Sequence, residues 1–294
     1  MSGRPTSRVA VLMTCHNRVA STIQSISLLK AQQGAAVEME IFLVDDGSSD
    51  GTAEAIKNRF PDTNILAGNG SLYWCGGTRL AFERAMQSDY DFYLWLNDDT
   101  SLYPDCLQRL MTTYRELAVQ IGEALIVVGS IRDPDTGILS YGGWQKCRGL
   151  LGSISWEKIP PDLSAPIFCD TINGNCVLIP REVVRRIGNL DQVFRHSMGD
   201  LDYGLRARKN GCQIAIAPGF VGECKENDGS GLWTDHNLPT RLRWKKLLGP
   251  KGLPIKEWGV FTRRHKGRLW PLVWLSPYIR FWMLEFLPAR KGKW

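Results

Sequence analysis

Several familiar signatures are missing from this 294-residue chain, and each absence closes off a class of function. None of its eight cysteines stands in a CxxC pair, so paired thiolates for a zinc site are not encoded. A chain this long needs no disulfide scaffold, and the cysteines read as reduced, buried and cytosolic. The first strand is followed by TCHNR rather than GxGxxG, which argues against a nicotinamide dehydrogenase. No GxxxxGK[ST] occurs, which argues against a P-loop ATPase. The amino end has no apolar run after its arginine, so no secretory signal is expected. Nor is there an uninterrupted apolar stretch of the roughly 20 residues that a membrane span needs. Residues 269–287 come nearest, but Pro271, Pro277, Arg280 and Glu285 interrupt them. The expectation is a peripheral, cytoplasmic protein.

What is present is globular: 44% hydrophobic and 22% charged residues. The net charge of +6 is uneven. Residues 241–294 hold 14 Lys/Arg against two Glu, while residues 1–240 hold 22 Lys/Arg against 28 Asp/Glu. A mildly acidic body therefore precedes a basic tail, of the kind that contacts acidic polymers or anionic membrane surfaces.

Three apolar runs read as strands buried on both faces: residues 8–13 (RVAVLM), 40–44 (EIFLV) and 92–96 (FYLWL). Helical patterns follow the first two, and 65–67 fits a short further strand. Gly68 to Gly77 reads as a glycine-rich loop and 78–87 as a helix. This alternation predicts a mostly parallel sheet flanked by helices. Each long run ends in polar residues: Thr14 to Asn17, Asp45 with Asp46, and Asp98 with Asp99. Strands of a parallel sheet end on one rim, where ligands bind, so the three clusters should converge. Two adjacent carboxylates repel, and a divalent cation such as Mg²⁺ or Mn²⁺ relieves that repulsion. A solvated turn accounts for Asp98-Asp99-Thr100 equally well.

The segments VAVLMTCHNR, VDDGSSDGT, LNDDT and GDLDYGLRARKNG, in that order, resemble the inverting nucleotide-sugar transferases of glycosyltransferase family 2, over roughly residues 8–225. The resemblance implies the GT-A (Rossmann-like) fold for residues 8–240, with 241–294 as a helical basic, aromatic extension. It implies a nucleotide-sugar donor, a saccharide or lipid-linked saccharide acceptor, and a divalent metal cofactor, Mn²⁺ or Mg²⁺. A nucleotide rhamnose is one donor of this kind. Asp46 would bind a pyrimidine N–H, Asp98 the ribose or donor sugar, and Asp99 the metal. Thr14 would touch the base, or else cap the helix that follows it. Arg18 would pair with phosphate, or with Asp45 or Asp46. Arg79 stands where the family often has asparagine, and could reach the diphosphate. Asp200 would be the catalytic base, in the first turn of a helix whose dipole keeps it ionised. His236 is the candidate for a late metal ligand, against a solvated-loop reading. Trp144 and Trp156 fall in what reads as a variable loop and could stack on sugar rings.

Near the carboxyl end, Trp270, Trp274, Tyr278 and Trp282 recur every four residues between basic clusters. That pattern fits a segment lying on an anionic leaflet, or a helix packed on the catalytic body. Two other functions compete with sugar transfer. A nucleotidyltransferase would also use a parallel sheet and paired carboxylates, but wants a basic, glycine-rich first loop where TCHNR stands. A non-catalytic polysaccharide- or membrane-binding module would have no use for intact Asp46, Asp99 and Asp200. No nucleic-acid partner is expected.

Overall fold

The computed structural model describes residues 6–148, 154–226 and 230–286. In chain order the first half comprises β1 (Ser7–Cys15), α1 (Val19–Lys30), β2 (Val37–Asp45), α2 (Thr52–Arg59), β3 (Asn64–Ala67), α3 (Tyr73–Ala85), β4 (Phe92–Leu96), β5 (Ser101–Leu102), α4 (Cys106–Ile121) and β6 (Leu125–Arg132). Short strands follow: β7 (Leu139–Tyr141), β8 (Gly143–Arg148), β9 (Ile154–Lys158), β10 (Ile167–Phe168) and β11 (Thr171–Ile172). Then come β12 (Cys176–Pro180), α5 (Arg181–Ile187), α6 (Gly199–Lys209), β13 (Gln213–Glu223), α7 (Thr240–Leu247), α8 (Ile255–His265) and α9 (Trp270–Phe286).

The main sheet runs β10-β13-β6-β12-β4-β1-β2-β3. Neighbours from β4 to β3 are parallel, as are β6 and β13, whereas β12 is antiparallel to both β4 and β6. Strand alternation divides the apolar residues between two layers. Val9, Val11, Met13 and Leu94 face one core with Ile26, Leu29 and Leu110 from α1 and α4. Ala10, Leu12, Tyr93 and Trp95 face the other with Phe82, Val183 and Tyr203 from α3, α5 and α6. With helices on both faces, β4 is buried along its whole length, which is why FYLWL shows no polar alternation.

Register sets the functional rim. Cys15 pairs with Asp45 and Leu12 with Trp95, so β1, β2 and β4 end side by side. Because β12 is antiparallel, its first residue, Cys176, pairs with Leu96. The segment leading into β12 therefore reaches the same rim. The expected parallel sheet is present, with β12 inserted in reverse.

Two local expectations are corrected. α3 starts at Tyr73, five residues before the predicted start at residue 78. Two of the glycines that read as loop, Gly76 and Gly77, lie inside the helix because its backbone passes close to its neighbours. A Cβ on Gly77 would lie 2.1 Å from Thr14 Oγ1, and one on Gly76 3.1 Å from Leu72 Cβ. Residues 141–156 are not simply a loop: β8 pairs with β9 and β11 in a separate three-stranded sheet. Trp144 sits in that sheet opposite Lys158, whose ammonium lies 6.0 Å from the indole centroid. Residues 149–153 lie outside the described residues.

The chain divides into two compact units. The first is Met1–Gln192 with Gly199–Glu226, and the second Val193–Met198 with Asn227–Trp294. The second is helical, as expected for the extension. Its core is Leu247, Tyr278 and Phe281, packed with Trp233, Trp244, Trp258 and Trp274. Trp274 donates to the Ile255 carbonyl (3.1 Å), and Tyr278 to that of Leu253 (2.7 Å). So two of the four regularly spaced aromatics bind the unit's own backbone rather than forming an outward stripe. Pro277 lies inside α9 and lacks the N–H that would reach Val273. The Ser276 hydroxyl takes that place, donating to the Val273 carbonyl at 2.9 Å.

Candidate active site

The rim of the first unit gathers Thr14, Arg18, Asp46, Asp98 and Asp99 from β1, β2 and β4, and Asp200 from the start of α6. Asp46 is buried and its carboxylate is heavily used. It accepts N–H groups from Gly70 (2.8 Å), Leu72 (2.9 Å) and Tyr73 (2.9 Å). One carboxylate thus holds the glycine-rich loop and satisfies donors at the start of α3. Its main-chain carbonyl accepts from His16 Nδ1 at 2.7 Å, so His16 serves the loop's structure. Asp45 is structural too: Oδ1 accepts the Ser48 N–H at 2.8 Å. Asp50 closes the neighbouring turn, accepting from Val19 N (3.0 Å) at the start of α1 and from Thr52 N (3.1 Å).

Arg18 does not pair with Asp45 or Asp46. Its Nη1 lies 3.3 Å from Asp98 Oδ1 and makes a closer bond to Asp99 Oδ2. Burial pushes the Asp98 carboxyl up to about 7, and the Asp99 charge adds to this, while Arg18 opposes both. Cys224 completes the cluster, its Sγ donating to Asp99 Oδ1 at 3.4 Å. Burial, then Asp99, raises that thiol to about 12, so it stays protonated and able to donate. Nothing in the spacing of the cysteines marked Cys224. Only the pairing of the end of β13 with β5, just after the carboxylates, brings it here.

A donor set of two carboxylates suits a hard divalent ion that completes its shell with water and substrate phosphate. Among the described residues no group of three His, Cys, Asp or Glu side chains could hold a metal ion. Of the pair, Asp99 is the candidate holder, and Arg18 now bonds its Oδ2. His236 belongs to the second unit, exposed in a turn that Asp235 organises through Gly231 N (2.9 Å) and Asn237 N (3.0 Å).

Asp200 lies in the first turn of α6. Its Oδ2 accepts from Gly174 N (2.9 Å) and Asn173 Nδ2 (3.3 Å), and its Oδ1 from Leu201 N (2.8 Å). Asn173 and Gly174 come from the segment entering β12. Burial dominates and raises the Asp200 pKa, against backbone N–H hydrogen bonds, those of Gly174 and Leu201 among them, that lower it. Asp202 is fully buried and pairs with Arg206 Nε at 2.8 Å, which anchors the helix and leaves Asp200 facing the rim.

Trp74 joins the two acidic groups. Its indole N–H donates to Asn97 Oδ1 at 2.8 Å, next to Asp98. A Cβ on Gly174 would lie 2.2 Å from the Trp74 ring and 3.3 Å from Asp200 Cβ, so only glycine fits between them. Arg79 lies on the same helix, with its Nη2 3.8 Å from where a Gly76 Cβ would stand. Its guanidinium thus folds back towards the helix start.

The model of Glycosyl transferase family 2 matches residues 10–155, which begin inside β1 and take in β2 and the Asp98–Asp99 pair. Residues 10–155 are a glycosyl transferase family 2 domain. The chain is 25% identical over 204 residues to an N-acetylglucosaminyl-diphospho-decaprenol L-rhamnosyltransferase from Mycobacterium tuberculosis, in two strains. The match covers 61% of this chain and 64% of that protein, less than two thirds of the relative's length. Among solved structures, the mannosyltransferase PcManGT from Pyrobaculum calidifontis, in complex with GDP-Man and Mn2+, superposes with a TM-score of 0.55 at 13% identity. That superposition covers 95% of this chain and 70% of that one. TarS of S. aureus in complex with UDP-GlcNAc gives 0.53 at 12% identity, covering 87% and 71%. At such identities these two establish the fold alone, the GT-A architecture expected from the family 2 motifs. The family 2 match ends before α6, so the roles of Asp200 and Cys224 rest on geometry.

Proposed function

We propose that the protein is an inverting glycosyltransferase. It moves a sugar from a nucleotide-sugar donor to a saccharide acceptor, as a step in cell-surface polysaccharide synthesis. The observation that carries this reading is the link from Asn97 through Trp74 and Gly174 to Asp200. It supports a reading in which Asp200 acts as the base across the rim from Asp99, the proposed holder of the diphosphate's counter-ion.

In this reading the loop held by Asp46 forms the floor for the base, with Thr14 beside it. Asp98 meets the ribose or donor sugar, and Arg18 and Arg79 turn towards the diphosphate. A divalent ion on Asp99 would neutralise charge on the leaving phosphate. Asp200 takes the proton from an acceptor hydroxyl as its oxygen attacks the anomeric carbon. The bond from that carbon to the phosphate oxygen breaks, and the diphosphate leaves with the electron pair. A single displacement inverts the anomeric centre. The raised pKa of Asp200 brings the base nearer to neutrality, where a general base works best.

The named relative points to L-rhamnose as the donor sugar and to N-acetylglucosamine on a lipid diphosphate as the acceptor. The test is a panel of nucleotide sugars, with and without Mn²⁺, and NMR of the product's anomeric proton. Inverted product from one donor supports the proposal. Retained configuration, or nucleotidyl transfer, sinks it.

A further inference from the structure

α9 in the second unit has two apolar faces. One carries Trp274, Tyr278 and Phe281, spaced four and three residues apart, and is packed inside the unit beside Leu247 and Trp244. The other carries Leu272, Leu275, Ile279 and Met283 at helical spacing, and these are 65%, 42%, 49% and 55% exposed. Leu269 and Leu284 add to it. A continuous exposed patch of large aliphatic side chains marks a contact surface.

The charges around the patch point to one occupant. Residues 263–286 contain five Lys/Arg and a single acid, Glu285. That acid is taken up internally by Thr240 and Arg243. Arg268 stands exposed at the amino end of the patch and Arg280 exposed on its flank. A second copy of this chain fits poorly, because two-fold pairing would set like-charged rims together. No described helix is long and apolar enough to cross a membrane.

We infer that this face of α9 rests on an anionic lipid surface, with the helix axis in the plane of the interface. Leu272, Leu275, Ile279 and Met283 enter the boundary between headgroups and acyl chains, and Arg268 and Arg280 meet lipid phosphates. The inner aromatic face keeps the helix attached to its own unit. The inference does not depend on the sugar chemistry.

The test is co-sedimentation of the full chain with vesicles of phosphatidylcholine alone, or with phosphatidylglycerol added. Binding should be about tenfold or more stronger on the anionic vesicles and should weaken with salt. Combined Leu272→Ser, Ile279→Ser and Met283→Ser should lower it about tenfold, with the melting temperature as a check on folding. Arg268→Glu, an exposed single change, should weaken anionic binding without touching the apolar face. Equal binding to both vesicles, no binding at low salt, or a triple variant that binds like the parent overturns the inference. So does a concentration-dependent dimer, seen by sedimentation velocity, that the triple variant abolishes without any vesicle binding.

Discussion

Arg18 and Asp98 meet across 80 residues of sequence, with Nη1 3.3 Å from Oδ1, and the same nitrogen bonds Asp99. In the proposed reading the guanidinium occupies oxygens that a divalent ion would take, so the two cations would compete for them. Arg18→Gln should raise the affinity for Mn²⁺ alone by about tenfold, roughly 1.4 kcal/mol, as read by Mn²⁺ EPR. Arg18→Lys should stay near the parent. No gain in Arg18→Gln would show that the arginine does not guard these carboxylates.

Asp98 should make the metal-free protein less stable as pH rises. Its carboxyl is moved from 3.8 to about 7, chiefly by burial. Between those values the folded state holds a proton that the unfolded state has released, so stability falls with increasing pH across that window. The full shift corresponds to at most about 4 kcal/mol. Asp98→Asn should flatten the decline in melting temperature from pH 5 to 8. A parent whose melting temperature rises over that range contradicts the assignment.

Asp200→Asn should cut turnover by about 10²–10⁴ while leaving donor affinity near the parent value. The carboxamide can keep one oxygen towards Gly174 N, so folding should survive. Turnover and donor binding, measured separately, decide whether Asp200 acts on the acceptor proton or only shapes the loop.

Gly77→Ala should destabilise the first unit by about 1–3 kcal/mol, because the new methyl meets Thr14 where there is no room. Urea denaturation of the two proteins gives the difference. A change under about 0.5 kcal/mol would mean that β1 and α3 move apart easily.

The order of strands and the convergence of their acidic ends were legible because apolar runs ending in polar pairs record burial and chain direction together. Asp46, Asp98 and Asp99 come to one rim for that reason, whereas Asp200 is carried by the first turn of α6. Partners set by three-dimensional packing were not legible. Arg18 could as well have met Asp46, and only the crossing of the loops after β1 and β4 gives it Asp98 and Asp99. The early start of α3 was hidden because glycine reads as loop, whereas Gly76 and Gly77 are there to admit Leu72 and Thr14. In α9 the regular aromatics suggested an outer stripe, yet Trp274 and Tyr278 turn inward, and less conspicuous aliphatics line the outside.

The three amides that Asp46 takes from Gly70, Leu72 and Tyr73 also bear on the timing of substrate capture. A segment this rich in glycine would otherwise wander among many shapes, and an arriving nucleotide would have to arrest it. Here the arrest is completed during folding. Encounter with a ligand should then proceed in a single fast phase, without the slow second phase that a rearranging loop would add.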